Sequence, residues 1–161
     1  MIPRGLRGAG VTYRQATLAD VPGIMRSRSA DPEWGPADPR TAAYLAGKHH
    51  PQHALPLRVA FVALEGPSVV GYITGHLTKR YDCEGELQSL WVAIDYRRGG
   101  IATALFRLLA RWFVDNQARR ICVDVLPDNS VARSLYRRHG ALDLNPHWLV
   151  WTDIDGKVAD Q

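Results

Sequence analysis

The sequence predicts a mixed α/β domain, and three observations predict it. Three strand-like runs, Leu57 to Glu65, Val69 to Lys79 and Glu86 to Ala93, follow one another closely. A run of helical period (Ile101, Leu105, Leu108, Leu109, Trp112, Phe113) then stands between two strand-like runs, Glu86 to Ala93 and Ile121 to Leu126. The hairpin signal just upstream makes the early part of the sheet antiparallel, while strand–helix–strand makes the two flanking strands parallel neighbours across a right-handed crossover. A chain of 161 residues supports one well-cored domain rather than two.

Each element has its own signal. Residues 1–10 read as a flexible start. Val11 to Ala16 (VTYRQA) alternates as a short strand, and Thr17-Leu18-Ala19-Asp20 opens a helix that buries Val21, Ile24 and Met25. From Asp31 to Pro56 the prolines at 32, 36, 39, 51 and 56 break the chain, and Thr41 to Gly47 offers at most two helical turns. So long a punctuated connection inside a compact domain reads as a functional loop, and it carries Trp34, His49, His50 and His53. Leu57 to Glu65 and Val69 to Lys79 form a hairpin about Gly66-Pro67. After the strand Glu86 to Ala93 comes a helix from Gly100 to Asn116, then the strand Ile121 to Leu126. Pro127-Asp128-Asn129 leads into a helix from Ser130 to His139, stopped by Gly140. His147 to Ile154 (HWLVWTDI) alternates as a closing strand. Residues 11–154 thus form the domain and 155–161 a flexible tail.

Composition narrows the class. No apolar run approaches the ~20 residues of a membrane span, and the start MIPRGLRGAG lacks the apolar core of a signal peptide. Cys83 and Cys122 read as buried reduced thiols, which suits the cytoplasm, and no Cys/His spacing reads as a metal site. The net charge of +4 is uneven: nine Arg against three acids between Arg97 and Arg138 give that segment +6, leaving −2 for the rest. A polyanionic cofactor, a nucleic-acid surface or a solvated arginine face would each produce this.

Two motifs carry chemistry. Arg97-Arg98-Gly99-Gly100-Ile101-Ala102 follows a strand and opens a helix, with the spacing Arg-x-x-Gly-x-Ala. Small residues there let backbone N–H groups face a diphosphate, and the helix adds its positive dipole end. Beyond the next strand stands Asn129-x-x-Ala132-x-x-Leu135-Tyr136-x-x-x-Gly140. Together these motifs resemble those of the GNAT superfamily of acetyl-CoA-dependent N-acetyltransferases. Ala102 stands where the superfamily often has Gly, and Ala141 where it usually has Phe.

The resemblance implies a central mixed sheet of six to seven strands, splayed between the fourth and fifth, with about four helices. It implies acetyl-CoA as cosubstrate, no metal, an amine acceptor and, in many members, a homodimer. Backbone groups of Trp91, Val92 and Ala93 would meet the pantetheine arm, with the Val92 N–H facing the thioester oxygen. Arg97, Arg98, Gly99, Gly100, Ile101, Ala102 and Thr103 would hold the pyrophosphate. Asn129 and Ala132 would contact pantetheine, although Asn129 also reads as a helix N-cap. Tyr136 would be the general acid protonating the departing thiolate, although its helix face also reads as core. Deprotonating a lysine-like amine at pH 7 costs roughly 4–5 kcal/mol, and an α-amine far less. The base is Glu86 by preference, with Asp124 the alternative. A strand-start charge and an Arg-paired strand residue are their ordinary readings. His76 and the loop histidines read as structural or solvated, and Trp34 and Tyr81 as possible walls of the acceptor pocket. A non-catalytic CoA-binding module and an RNA-associated protein are the competing functions.

Overall fold

A computed structural model describes residues 10–36 and 38–157. The expected flexible start lies outside that range except for Gly10, and so does the end of the expected tail. Seven strands form one sheet: β1 (Val11–Gln15), β2 (Ala54–Glu65), β3 (Ser68–Thr78), β4 (Gly85–Val92), β5 (Ile121–Asp124), β6 (Leu142–Asn145) and β7 (Trp148–Trp151). Their order is β1-β2-β3-β4-β5-β7-β6, with β4–β5 the parallel pair. Helices α1 (Val21–Ser29) and α2 (Pro39–Leu45) lie on one face; α3 (Ile101–Asp115) and α4 (Ser130–Arg138) lie on the other.

The long helix α3 sits where it does because the sheet beneath it lacks side chains. Ile101, Leu105, Leu109 and Phe113 form an i, i+4 ridge that is almost wholly buried. Its floor includes Gly71, Gly75 and Gly85. A Cβ at Gly71 would meet Ile101 and Leu105, one at Gly75 would meet Leu109 and Phe113, and one at Gly85 would meet Phe113 and Ile121. Close approach is what these glycines supply.

Pairing of β4 with β5 covers three rungs, Gly85↔Ile121, Glu86↔Cys122 and Leu87↔Val123, and then stops. The cause is visible on the other side of β4. Its register with β3 passes from Gly75↔Leu87 to Thr74↔Ser89, so Gln88 is the extra residue of a β-bulge. A bulge bends its strand and ends local pairing, and it shifts the alternation by one. Leu87 and Leu90, three residues apart, therefore both reach the α3-side core. Beyond Leu87 the two strands no longer pair, and a gap opens between them.

The structure departs from the sequence reading at several ends. β2 begins at Ala54, and an irregularity between Ala54 and Arg58 accommodates Pro56. α2 starts at Pro39, earlier than expected, because the Asp38 carboxylate accepts from the Arg40 N–H and proline suits the first helical position. The closing strand is a hairpin, β6–β7, and all four residues of β7 are buried rather than alternating. The sheet is covered on both faces there: Leu149 and Trp151 belong to the α3-side core, while Trp148 and Val150 pack on Cys83 and Cys122, both free thiols. Ile154, expected at the end of the closing strand, and residues 155–157, expected in the tail, together form a 3-10 turn that buries Ile154. Among the described residues no helix is long and apolar enough to cross a membrane.

Candidate active site

The wall of the cleft is the free edge of β4. The Ala93 N–H donates to the Val70 carbonyl at 2.8 Å, so Ala93 faces β3, and the alternation of an antiparallel ladder turns Val92 and Leu90 toward the gap. This revises the expected assignment. Ala93 has no N–H to offer an incoming chain, and Trp91, paired in register with Tyr72, faces β3 as Ala93 does. The Trp91 indole is buried as well, donating to Asp31 Oδ2 at 2.8 Å. The Val92 N–H points away from β3, into the gap.

At the end of this wall the chain turns through residues 97–100 into α3. Arg98 and Gly100 take positive φ of 65° and 86°. No backbone or side-chain acceptor among the described residues takes the N–H groups of residues 98 to 103. Alternating handedness with successive free N–H groups makes an anion-binding concavity at a helix start. Its flank is cationic. Thr103 Oγ1 lies 3.2 Å from His139 Nε2, and the His139 ring stacks on Phe106. Burial pushes the His139 pKa down, and Arg107, Arg138 and Lys157 push it further.

Arg97 is used differently from the expectation. Its Nε donates to the Val92 carbonyl at 2.9 Å, one amino group donates to Asp31 at 2.8 Å, and the other pairs with Glu33. The side chain therefore ties the start of the 31–56 connection to the end of β4. Burial would raise the Asp31 carboxyl, but the Trp91 indole, the Glu33 N–H, Arg97 and Arg28 outweigh it and hold the pKa below the ordinary value. Nothing local in the sequence linked Asp31 to residues some 60 positions away.

The two faces of the sheet meet at the cleft with different chemistry. On the α3–α4 face Tyr136 is buried with Val92, Val123 and Val125, its ring edge-on to Trp151. Its hydroxyl has no hydrogen-bond partner among the described residues, and burial raises its pKa, keeping the phenol protonated. On the α1–α2 face lie Glu86 and Asp124. Glu86 is 4% exposed and accepts from Arg80 Nε at 3.3 Å, with His76 Nε2 at 3.7 Å. Asp124 is exposed at the end of β5. Burial of part of the carboxyl raises its pKa, His147 lowers it, Glu86 raises it and Arg80 lowers it. The two acids thus share one electrostatic site.

Other expected residues fall into structural roles. Asn129 caps α4, its Oδ1 accepting from the Ala132 N–H at 3.1 Å, while Ala132 packs against the core. Ile101 is buried, leaving only its N–H for an anion. Trp34 stacks under Arg28, and Tyr81 meets Trp148 edge-on, with Tyr81 and Asp82 both at positive φ. Arg58 binds the His49 carbonyl and the His50 ring. Among the described residues no group of three His, Cys, Asp or Glu could hold a metal ion. The arginine-rich segment is largely spent within the fold: besides Arg97, Arg119 pairs with Asp153 and Asp155, Arg137 with Asp143, and buried Arg133 donates to the Val125 and Pro146 carbonyls.

A seven-stranded mixed sheet whose parallel pair opens after three rungs defines an architectural class, and solved structures share the fold. A GNAT-family protein from Desulfovibrio desulfuricans superposes with TM-score 0.72 at 15% identity, covering 89% of this chain and 99% of that one. PaiA N-acetyltransferase from Thermoplasma acidophilum, in complex with coenzyme A, gives 0.67 at 13% identity over 89% and 98%. The ribosomal-protein-S18-alanine N-acetyltransferase from Escherichia coli gives 0.65 at 15% over 87% and 90%. No curated protein sequence matches the chain. The acetyltransferase (GNAT) family model matches residues 24–141, and this chain belongs to that family.

Proposed function

We propose that this chain transfers an acetyl group from acetyl-CoA to a primary amine by direct attack within a ternary complex. The observation that carries the reading is the cleft beyond Leu87↔Val123, with a free strand edge on one side and the run of unpaired N–H groups at its end. Acetyl-CoA supplies an activated thioester, so neither buried cysteine is needed as a nucleophile. The N–H groups of residues 98–103 suit the pyrophosphate. The Leu90 N–H and carbonyl and the Val92 N–H suit an extended amide-bearing arm, the Val92 carbonyl being held by Arg97, and the Val92 N–H would stabilise charge developing on the thioester oxygen.

The acid and the base act from opposite faces of the sheet. Tyr136 remains a phenol at neutral pH and offers its proton to the leaving thiolate. Glu86 takes the proton of the attacking amine, through water where the amine stands off, and Asp124 at the rim favours the approach of an ammonium. The mouth suits an acceptor of a single positive charge. Asp31 and Glu33 share the charge of Arg97, with Arg28 a second cation beside Asp31, and a Glu84 oxygen accepts from the backbone N–H groups of Arg119 and Arg120. Each of these three acids is thereby less available to a polycationic acceptor.

The test is release of free CoA thiol from acetyl-CoA across a panel of monoamines, polyamines and peptide N-termini. Turnover with a monoamine or an N-terminal amine supports the reading, as does a fall of about 10²-fold or more in Glu86→Gln, with a smaller fall in Asp124→Asn. Tight CoA binding without thiol release from any acceptor would instead mark a binding module of the same fold.

A further inference from the structure

Behind Glu86 the interior holds a line of polar groups that the reaction as described does not use. His76, on β3 and in register with Glu86, has no exposed surface. The Tyr44 hydroxyl, brought from α2, lies 2.8 Å from His76 Nδ1. His76 Nε2 has no hydrogen-bond partner, and Glu86 Oε1 lies 3.7 Å from it. A histidine kept only for packing would have both ring nitrogens satisfied, and a buried orphan nitrogen calls for a reason.

We propose that Tyr44 and His76 form a positioning arm for the catalytic carboxylate, with the Tyr44 hydroxyl donating to Nδ1 so that the ring proton sits on Nε2 and points at Glu86 Oε1. This rests on Glu86 serving as the base. The tautomer follows from the neighbours. Were the proton on Nδ1, the Nε2 lone pair would face a carboxylate oxygen across 3.7 Å with nothing between them to relieve the repulsion. Burial raises the Tyr44 pKa, so its hydroxyl keeps a proton to donate. Arg58, stacked over the Tyr44 ring at 4.7 Å, and Arg80, bonded to Glu86, already supply positive charge, so the ring need not be an imidazolium to balance the carboxylate.

The consequence lies in the geometry of Glu86. Arg80 and His76 both address Oε1, while Oε2 accepts from no described residue. One oxygen is anchored from two elements and the other is left for the reacting proton. Carboxylate orientation at this precision separates a working base from a buried ion pair.

The test begins with the ring itself. A two-bond 1H–15N correlation spectrum of the full chain, with the His76 signals assigned by His76→Gln, should show the proton on Nε2. In Tyr44→Phe that preference should weaken. For turnover, His76→Leu should lower kcat between about 10- and 100-fold with KM for acetyl-CoA unchanged. His76→Gln, whose amide nitrogen reaches the same oxygen, should recover most of the loss. A proton on Nδ1, a charged ring, equal impairment in the Leu and Gln variants, or full kcat in a folded Leu variant would each overturn the proposal. Should the Leu variant not fold, Tyr44→Phe carries the kinetic comparison, with an unchanged kcat counting against the arm. If Glu86→Gln turns over normally the base assignment fails, and the ring spectrum still decides the tautomer.

Discussion

Gly85 gives the sharpest mechanical test of how the cleft is held. It forms the first parallel rung, one residue before Glu86, and α3 rests on it. A methyl at this position would lie 2.6 Å from Cδ1 of Phe113 and 2.8 Å from Cδ1 of Ile121, where carbon atoms settle at about 3.5–4 Å. The sheet is fixed by neighbours on both sides, so the Phe113 ring must retreat by about 1 Å. That places Gly85→Ala near the top of the overpacking range, about 3 kcal/mol, or roughly 6–12 °C in Tm for a domain of this size. Phe113→Leu alone should cost about 1–2 kcal/mol for lost volume. If the clash is the cause, the double variant should be about 1–2 kcal/mol more stable than the sum of the single effects. Urea titration with an unchanged m-value reads all three. Additivity to within about 0.5 kcal/mol, or a Gly85→Ala protein as stable as its parent, would refute the packing argument.

Three further outcomes are expected. Tyr136→Phe should leave the urea midpoint within about 0.5 kcal/mol of the parent, since the hydroxyl has no described partner, yet lower thiol release about 10²-fold; loss of both together would make the hydroxyl a folding group. Gly100→Ala, at φ 86°, should cost about 1 kcal/mol in stability and weaken CoA binding in a calorimetric titration by more than the same change at exposed Gly10. Asp20 is held at about 2, chiefly by the Arg14 guanidinium, against an ordinary value of 3.8. Because its folded pKa is depressed, its contribution to stability is complete above 3.8 and disappears as pH falls through 2. Asp20→Asn should therefore flatten thermal stability across that window, and an unchanged slope in acid-titrated melts would contradict the assignment.

The sequence was most legible where the signal was local and periodic. The ridge Ile101–Leu105–Leu109–Phe113 announced α3, and two strand-like runs around it announced the parallel pair. The glycine pair at 99–100 announced the sharp entry into α3, because glycine and the first turn of a helix act within a few residues. The bulge at Gln88 was invisible, since nothing in LQSL distinguishes a regular strand from one carrying an extra residue. Arg97 read as a phosphate ligand because Asp31 and Glu33, its partners, lie more than 60 positions away. His76 read as an ordinary strand histidine for the same reason, its meaning depending on Tyr44, 32 residues distant, and on a register that only the folded sheet sets. Periodicity carried the frame, and long-range pairing decided which side chains were free to do chemistry.

The extra residue at Gln88 also changes what kind of object the sheet is. An ordinary open sheet has two borders, and here those are β1 and β6. Where β4 and β5 part, two inner borders begin, and on the β4 side the Leu90 and Val92 N–H groups face the gap. The hazard that proteins usually guard at their outermost strands has been moved inward, where stray chains reach it poorly. Such a slit is selective by length and by repeat: an extended chain with amides at strand spacing can seal it, while a lone diphosphate touches only its end. Ligands that bridge both borders should therefore raise the melting temperature well beyond what their anionic part achieves alone.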